Sequence, residues 1–285
     1  MKKQILDLRP YSWVDLVLLG YLAKFSVARE LIFSPDDSFF VVCLLFLWFF
    51  FNLALEKKHS YNYRGKIKII FPVIFLIFVT IISIYKNAMS LIPLVISCML
   101  VLFYLQKNKN KLLGILSSVI RGLIETTYFV FVLVLLGSSI NETRALLCIC
   151  IFLIYTVRAI IGDIRDKKHN KEAKKQTIPV LFGAENSKYI VIAMLLIVSL
   201  IIIFYFNSVL VAIPLILFGI LLLYYSNGYV LHQLMILTTS FFCANCITIL
   251  TNQNLFFLNL IYLGIFLNQV FYPLLERKSN PKFIN

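Results

Sequence analysis

The sequence has few charged residues, no linker and no low-complexity segment. Only 14% of its 285 residues are charged, and 61% are hydrophobic, against about 25% and 45–50% in ordinary soluble domains. Apolar runs of roughly 18–25 residues result, and about 20 residues cross the hydrocarbon core of a bilayer as a helix. The composition excludes a soluble globular protein and predicts a polytopic membrane protein with one domain over residues 1–285.

The apolar runs also lack the alternation of polar and apolar residues that membrane β-strands require. Only helices and closed barrels satisfy their backbone within lipid, and barrel strands alternate over about ten residues. The runs here are continuous, as in LLGILSSVIRGLIETTYFVFVLVLLG at 112–137. We predict an all-α fold of nine to ten transmembrane helices. Their predicted ranges are 11–31, 38–56, 67–85, 90–106, 112–137, 141–163, 188–206, 208–226, 229–250 and 254–275.

The six cysteines form no metal or disulfide pattern. All of them lie in apolar runs, and the pair Cys243 and Cys246 has no second pair and no histidine close to it in sequence. Since a structural zinc site needs about four ligands, we predict that these cysteines pack in the apolar interior.

Acidic residues are also scarce, with 13 Asp and Glu against 27 Lys and Arg. If the N-terminus lies inside, the outer side receives Arg29, Lys86 and Arg144, and most other basic residues fall in cytoplasmic segments. Because lysine and arginine favour the cytoplasmic side, we predict that the N-terminus and the loops 56–68 and 164–187 are cytoplasmic. In a bacterium this membrane would be the inner membrane of the cell. This inward-facing basic surface needs no nucleic-acid partner.

The end of the predicted sixth helix carries oxygen-bearing side chains at helical spacing. Asp163, Asp166 and Asn170 would lie on roughly one face of a helix. Magnesium prefers oxygen ligands and usually takes one or two carboxylates together with substrate phosphates. The basic residues around them would neutralise phosphate charge. The alternative interpretation is a solvated helix end held by salt bridges.

A second, weaker set of ligands ends the predicted second helix. Asn52 and Glu56 lie four residues apart, and Ser60 follows four residues later. This set has a single carboxylate, so the spacing taken alone favours a plain helix end at the membrane surface.

The segment 158–183 resembles the second aspartate-rich motif of the UbiA superfamily of intramembrane prenyltransferases. That motif reads approximately R-E-I-I-K-D-I-x-D-x-E-G-D-R-K-A-G-x-x-T-L-P-V. The residues that match it in register are Arg158, Asp163, Asp166, Lys171, Ala173, Thr177, Pro179 and Val180. The match lies at the cytoplasmic end of a sixth helix, where the family has this motif.

The first motif of that family, N-D-x-x-D-x-x-x-D, is only partly present. Asn52 and Glu56 match its first position and its first downstream aspartate, and Arg64 matches a basic residue often seen after it. Leu53 and Ser60 replace two aspartates there. In the second motif Asn170 replaces the third aspartate. Fewer carboxylates predict weaker magnesium binding. The chain could use one metal ion where relatives use two, or basic residues could replace a metal.

The resemblance implies a bundle of helices around a central cavity and a magnesium-dependent prenyl transfer. An isoprenyl diphosphate would donate the prenyl group to a hydrophobic acceptor, aromatic or lipid-like, within the lipid bilayer. The implied catalytic residues are Asp163, Asp166, Asn52 and Glu56. The implied metal ligands are Asp163, Asp166, Asn170, Asn52 and Glu56. The implied diphosphate-binding residues are Arg158, Lys167, Lys171, Arg64 and Arg121.

Two alternative functions and the role of Arg121 stay open at this point. The chain could be a UbiA-type terpene cyclase, in which a double bond of the substrate captures the cation. It could also be a non-catalytic binder or transporter of polyprenyl lipids. Within the predicted fifth helix, Arg121 could form an ion pair with Glu125, four residues along, or reach the diphosphate, since charges in membranes usually face a partner or a cavity.

Overall fold

The structure is a computed structural model that describes residues 13–28, 34–56, 67–107, 109–251 and 265. All regular structure in these ranges is helical, which confirms the all-α prediction. The long helices are α1 (Trp13–Ala28), α2 (Pro35–Glu56), α3 (Ile67–Asn87), α4 (Leu91–Tyr104), α5 (Lys111–Leu135), α6 (Glu142–Arg165), α9 (Ala184–Phe206), α10 (Val209–Tyr224) and α11 (Gly228–Thr251). Two short helices, α7 (Lys167–Glu172) and α8 (Ile178–Phe182), lie between α6 and α9.

The predicted number of transmembrane helices is not established by these elements. Five described segments are long and apolar enough to cross a membrane. They are Val73–Tyr104, Lys111–Leu135, Glu142–Arg165, Ala184–Phe206 and Gly228–Thr251. The helix α10 is apolar but has 16 residues. The predicted tenth helix, 254–275, lies almost entirely outside the described residues, so nine to ten remains a prediction.

The segment 164–187 differs from the loop that its charges predicted. The helix α6 ends at Arg165, and Asp166 follows with φ −93° and ψ 10°, outside helical geometry. Asn170 therefore lies on α7 and not on the helix of Asp163. The prediction that both residues share one continuous helix face is wrong, because the backbone breaks at Asp166.

The helices α5 and α6 approach each other closely at a glycine. A Cβ added to Gly122 would lie 2.2 Å from Oγ1 of Thr156 and 2.6 Å from the carbonyl oxygen of Phe152. Only a residue without a side chain fits this contact. The contact holds the two helices together two turns from the end where α6 carries Asp163.

The apolar side chains are divided between the interior and the outer surface. Side chains of α5, α6 and α11 form much of the buried core, which includes Phe129, Tyr155 and Phe242. Large apolar side chains of α3, α4, α9 and α10 are exposed, among them Ile81 and Leu200. Exposed apolar faces on several long helices are what contact with lipid tails requires.

An ion pair connects two distant parts of the chain inside the bundle. Nη1 of Arg158 on α6 donates to Oδ2 of Asp15 on α1, and their side chains are 8% and 0% exposed. Charges inside a membrane protein are costly unless paired. The pair thus fixes α1 against α6.

Candidate active site

Asp163 lies in the last turn of α6 and is held by two neighbouring elements. Oγ of Ser118 on α5 donates to Oδ2 of Asp163 across 3.3 Å. Nδ2 of Asn170 on α7 donates to Oδ1 across 3.1 Å. Both carboxylate oxygens are oriented by these donors, so the side chain has a fixed position at the end of the bundle.

Asp166 lies close to Asp163 but is held differently. Arg165 donates to both of its carboxylate oxygens, from Nε across 2.8 Å and from Nη2 across 2.7 Å. The side chain of Asp166 is 45% exposed. Nη1 of Arg165 also lies 3.2 Å from Nδ1 of His232 on α11. Asp166 therefore presents a partly solvated carboxylate next to the buried end of α6.

The turn after α7 buries Asn170. The residue is 3% exposed, and its backbone carbonyl oxygen accepts a hydrogen bond from the backbone N–H of Lys175 across 2.8 Å. Lys174 has a φ of 53°, the left-handed region, which reverses the chain there. The carbonyl of Gln176 then lies 2.4 Å from where a Cβ on Gly114 of α5 would be, so the turn packs directly on α5.

Lys107, which follows α4, is a site residue that the sequence analysis missed. It is 8% exposed, and its Nζ donates to the hydroxyl of Tyr104 across 2.9 Å. Burial alone would lower the pKa of Lys107, but Tyr104, Asp163 and Asp166 outweigh burial, and its pKa is raised above 10.5. Its ammonium group is therefore within electrostatic range of both carboxylates. The available signal was a lysine in a predicted cytoplasmic loop, three residues after a tyrosine.

Residues Asp163, Ser118, Asn170 and Lys107 are called the Asp163 cluster below. It joins the ends of α4, α5, α6 and α7 at one place. Its charges and hydrogen-bond donors differ from those of an ordinary solvated helix end, because Asn170, Ser118 and Lys107 are buried.

Two of the three arginines predicted to bind phosphate have carboxylate partners deeper in the bundle. Arg158 pairs with Asp15. Nη2 of Arg121 lies 2.9 Å from Oε1 of Glu125, so the interpretation of a mutual ion pair is confirmed. Lys167 is half-buried and Lys171 is exposed. That Arg158 and Arg121 also bind the diphosphate remains a prediction.

The end of α2, which carries the partial first motif, is described only by its backbone. The described part of α2 reaches Glu56. The side chains of Asn52 and Glu56 and the whole of Arg64 lie outside the described residues. That they converge with Asp163 remains a prediction.

The oxygen ligands at the end of α6 and on α7 suit magnesium. The described residues contain no group of three or more His, Cys, Asp or Glu side chains that could hold a metal ion. Asp163, Asp166 and Asn170 supply carboxylate and amide oxygens. Magnesium is usually held by one or two carboxylates with substrate phosphates as further ligands, so these residues fit it.

Comparison with known sequences identifies one family. The profile of the UbiA prenyltransferase family matches residues 63–235, which is more than half of the chain. The matched range includes 158–183 and begins after Asn52 and Glu56. No curated protein sequence matches the chain.

Solved structures share the fold at low sequence identity. A structure of digeranylgeranylglyceryl phosphate synthase is 15% identical, has a TM-score of 0.61, and aligns over 87% of this chain and 99% of that one. A UbiA homolog from Archaeoglobus fulgidus bound to Cd²⁺ is 15% identical with a TM-score of 0.58, over 86% and 97%. A homolog from the same organism bound to GPP and Mg²⁺ is 13% identical with a TM-score of 0.56, over 86% and 98%.

Proposed function

Since the chain belongs to the UbiA prenyltransferase family, we propose that it transfers an isoprenyl group from an isoprenyl diphosphate to an aromatic or lipid-like acceptor. The observation that carries this proposal is the Asp163 cluster, in which an oriented carboxylate and a buried ammonium group are within electrostatic range of each other. Homologs from Archaeoglobus fulgidus with a similar fold hold GPP or DMAPP together with Mg²⁺.

The cluster would bind the diphosphate through its charges. Lys107 would attract the phosphate oxygens directly. Lys167 and Lys171, which follow Asp166 closely in sequence, would add further positive charges. Arg64 belongs to the same set by its place in the sequence. Magnesium would be held by Asp163, Asp166 and Asn170, together with Asn52 and Glu56 from the end of α2. When bound, it would stabilise negative charge on the departing diphosphate.

The hydrogen bonds within the cluster have a direct role in this function. Ser118 and Asn170 orient both oxygens of Asp163 before substrate arrives, so little reorganisation is needed when it binds. In the transfer the C–O bond of the prenyl donor breaks, and diphosphate leaves with the bonding electrons. The acceptor forms a bond to the same carbon and loses a proton to the released diphosphate.

The partial first motif gives one specific reason to keep an alternative. With Leu53 and Ser60 in place of two aspartates, the chain would hold fewer metal ions than a protein with the full motif. A cyclase would release diphosphate without an acceptor, and a non-catalytic lipid binder would release none. The three functions therefore differ in two measurable quantities, diphosphate release and its dependence on an acceptor.

The proposal includes a membrane arrangement. The chain would form one domain over 1–285, with the N-terminus and both motif segments on the cytoplasmic side. The apolar spans and the distribution of lysine and arginine support this arrangement.

The test is incubation of the purified protein with magnesium and isoprenyl diphosphates of several lengths. We expect diphosphate release that depends on an acceptor, and a lipid product whose mass is the sum of the prenyl group and the acceptor. Asp163→Ala and Asp166→Ala should each abolish release. A cyclic product without acceptor would identify a cyclase instead, and full activity of both variants would contradict the site assignment.

A further inference from the structure

The end of α6 packs against the start of α11 at Arg165. A Cβ on Gly228 would lie 2.8 Å from Cα of Arg165, so there is no room for a side chain there and the two backbones are in contact. The side chain of Asn227 accepts hydrogen bonds from the backbone N–H groups of Tyr229 and Val230 across 2.9 and 3.3 Å. These bonds cap the helix. The start of α11 therefore has a fixed position beside Arg165.

Two side chains from the start of α11 hold the guanidinium of Arg165. Its Nη1 lies 3.2 Å from Nδ1 and 3.5 Å from Nε2 of His232, and its central carbon lies 6.0 Å from the ring centroid of Tyr229. The imidazole also packs on α6, because Cδ2 of His232 lies 3.6 Å from where a Cβ on Gly162 would be. The side chain of Arg165 is only 16% exposed. The guanidinium is thus confined between α6 and α11.

The confined guanidinium in turn fixes Asp166, whose two carboxylate oxygens both accept from Arg165. An ion pair of two mobile, exposed side chains contributes about 0–1 kcal/mol, because ordering both of them costs conformational entropy. Here α11 has already ordered Arg165, so only the side chain of Asp166 remains to be ordered. A carboxylate can accept about four hydrogen bonds, so one that is held by a guanidinium can still bind a cation.

We propose that His232 is a positioning residue for Asp166 and acts through Arg165. Partners that orient a metal ligand without touching the metal typically change metal affinity by about 10- to 100-fold. The cation is a divalent ion that prefers oxygen ligands, such as Mg²⁺ or Mn²⁺. The inference rests on the proposed function in one respect, that Asp166 is a metal ligand. It adds a residue of α11 to a site otherwise built at the ends of α2, α4, α5 and α6 and on α7.

Two substitutions of His232 separate this role from packing. Because a guanidinium only donates hydrogen bonds, the ring nitrogen that faces Arg165 has to accept. His232→Asn keeps an acceptor near the place of Nδ1 but loses part of the volume of the ring, whereas His232→Leu keeps the volume and loses the acceptor. We expect the affinity for Mn²⁺ to stay within about threefold of the wild type in His232→Asn. It should fall about tenfold in His232→Leu, whereas a packing role alone would give the reverse order.

The measurement is Mn²⁺ binding to the purified protein without substrate, followed by the electron paramagnetic resonance signal of the free ion. Asp166→Ala should weaken binding at least as much as His232→Leu, which identifies the measured ion as the one bound at Asp166. Gln233→Leu is the matched control, because it introduces the same apolar side chain one residue further along α11, and its affinity should equal that of the wild type. Thermal unfolding verifies that each variant is folded.

A double substitution tests whether His232 acts through Arg165. Arg165→Lys keeps the positive charge but loses the planar guanidinium that donates to both oxygens, and we expect it to weaken Mn²⁺ binding about tenfold. Adding His232→Leu to Arg165→Lys should change the affinity no further, because two residues that act in series are not additive. Losses that multiply to about a hundredfold would overturn the inference. Equal affinity of the wild type and His232→Leu, or tighter binding by His232→Leu than by His232→Asn, would overturn it as well.

Diphosphate release separates this inference from the proposed function. If the Mn²⁺ affinities follow the expected order but no isoprenyl diphosphate is cleaved, the positioning role stands and the proposed transfer fails. If acceptor-dependent release occurs while all variants of His232 and Arg165 bind Mn²⁺ equally well, the inference fails and the proposed function stands. A wild-type protein that binds no Mn²⁺ would overturn the inference whatever its activity.

Discussion

Asn170 donates a hydrogen bond from Nδ2 to Oδ1 of Asp163 across 3.1 Å, although the two residues lie on different helices. The break at Asp166 would separate them, but the turn at Lys174 and the packing of the following segment on α5 hold α7 in place. An asparagine at this position therefore orients the carboxylate that a third aspartate would repel.

Removal of this hydrogen bond should impair the site without unfolding the protein. We expect Asn170→Ala to lower kcat/KM for diphosphate release by about tenfold or more, as expected for a hydrogen bond to a charged group. The control is Asn186→Ala. Asn186 is exposed in the first turn of α9, and its amide donates to the backbone carbonyl of Phe182 just before that helix. Equal effects of the two substitutions on kcat/KM would contradict a role for Asn170 in orienting Asp163.

The charge of Lys107 should determine the affinity for the diphosphate. We expect Lys107→Met to raise the KM for the isoprenyl diphosphate by about 10- to 100-fold, and Lys107→Arg to restore part of it. Lys109→Met is the matched control, since Lys109 is exposed two residues away. A KM that does not change in Lys107→Met would show that the ammonium does not contact the substrate.

The same lysine gives a prediction about pH. Its pKa is raised above 10.5, so the group is protonated below that pH and loses its charge only as the pH rises through the raised value. We expect the KM for the diphosphate to show no increase from Lys107 between pH 6 and 9, where it stays charged. An increase within this range that disappears in Lys107→Arg would contradict the raised pKa.

The ion pair of Asp15 and Arg158 should contribute to stability more than to substrate binding. Removal of one partner of a buried pair costs about 3–5 kcal/mol, and we expect Asp15→Asn to lower the thermal unfolding temperature strongly. Asp36→Asn is the control, because the pair of Asp36 and Lys86 is exposed and exposed pairs contribute about 0–1 kcal/mol. A large rise in KM for the diphosphate in Arg158→Gln, without loss of stability, would instead favour direct binding by Arg158.

Close packing of α5 on α6 can be tested at Gly122. A methyl group there would lie 2.2 Å from Oγ1 of Thr156, and overpacking of this kind costs about 1–3 kcal/mol. We expect Gly122→Ala to destabilise the protein and to lower activity, because α5 carries Ser118. Gly219→Ala on α10 should do neither, since no described atom lies within 4 Å of its added Cβ.

The helices were predictable because lipid imposes one simple requirement, a long apolar run. The predicted ranges 112–137 and 141–163 correspond to Lys111–Leu135 and Glu142–Arg165. The number of membrane crossings was less predictable, since α10 has only 16 residues. The resemblance of 158–183 to the UbiA superfamily is confirmed by the family match over 63–235.

The site was predictable only where its residues are close in sequence. Spacing brought Asp163 and Asn170 together correctly but for the wrong reason, since the helix breaks between them. Lys107 was missed because its position depends on how α4 packs on α5, which no local pattern encodes. The pairing of Arg158 with Asp15 has the same cause, because the two residues lie on α6 and α1.

The pairing of Asp15 with Arg158 has a consequence for biosynthesis. The two residues are 143 positions apart in the chain, and ribosomes add about 5–20 residues per second. The first helix is therefore made about 7 to 30 seconds before its counter-ion is translated. During that interval Asp15 has no Arg158 to pair with, so α1 makes this contact with α6 only after α6 has been translated.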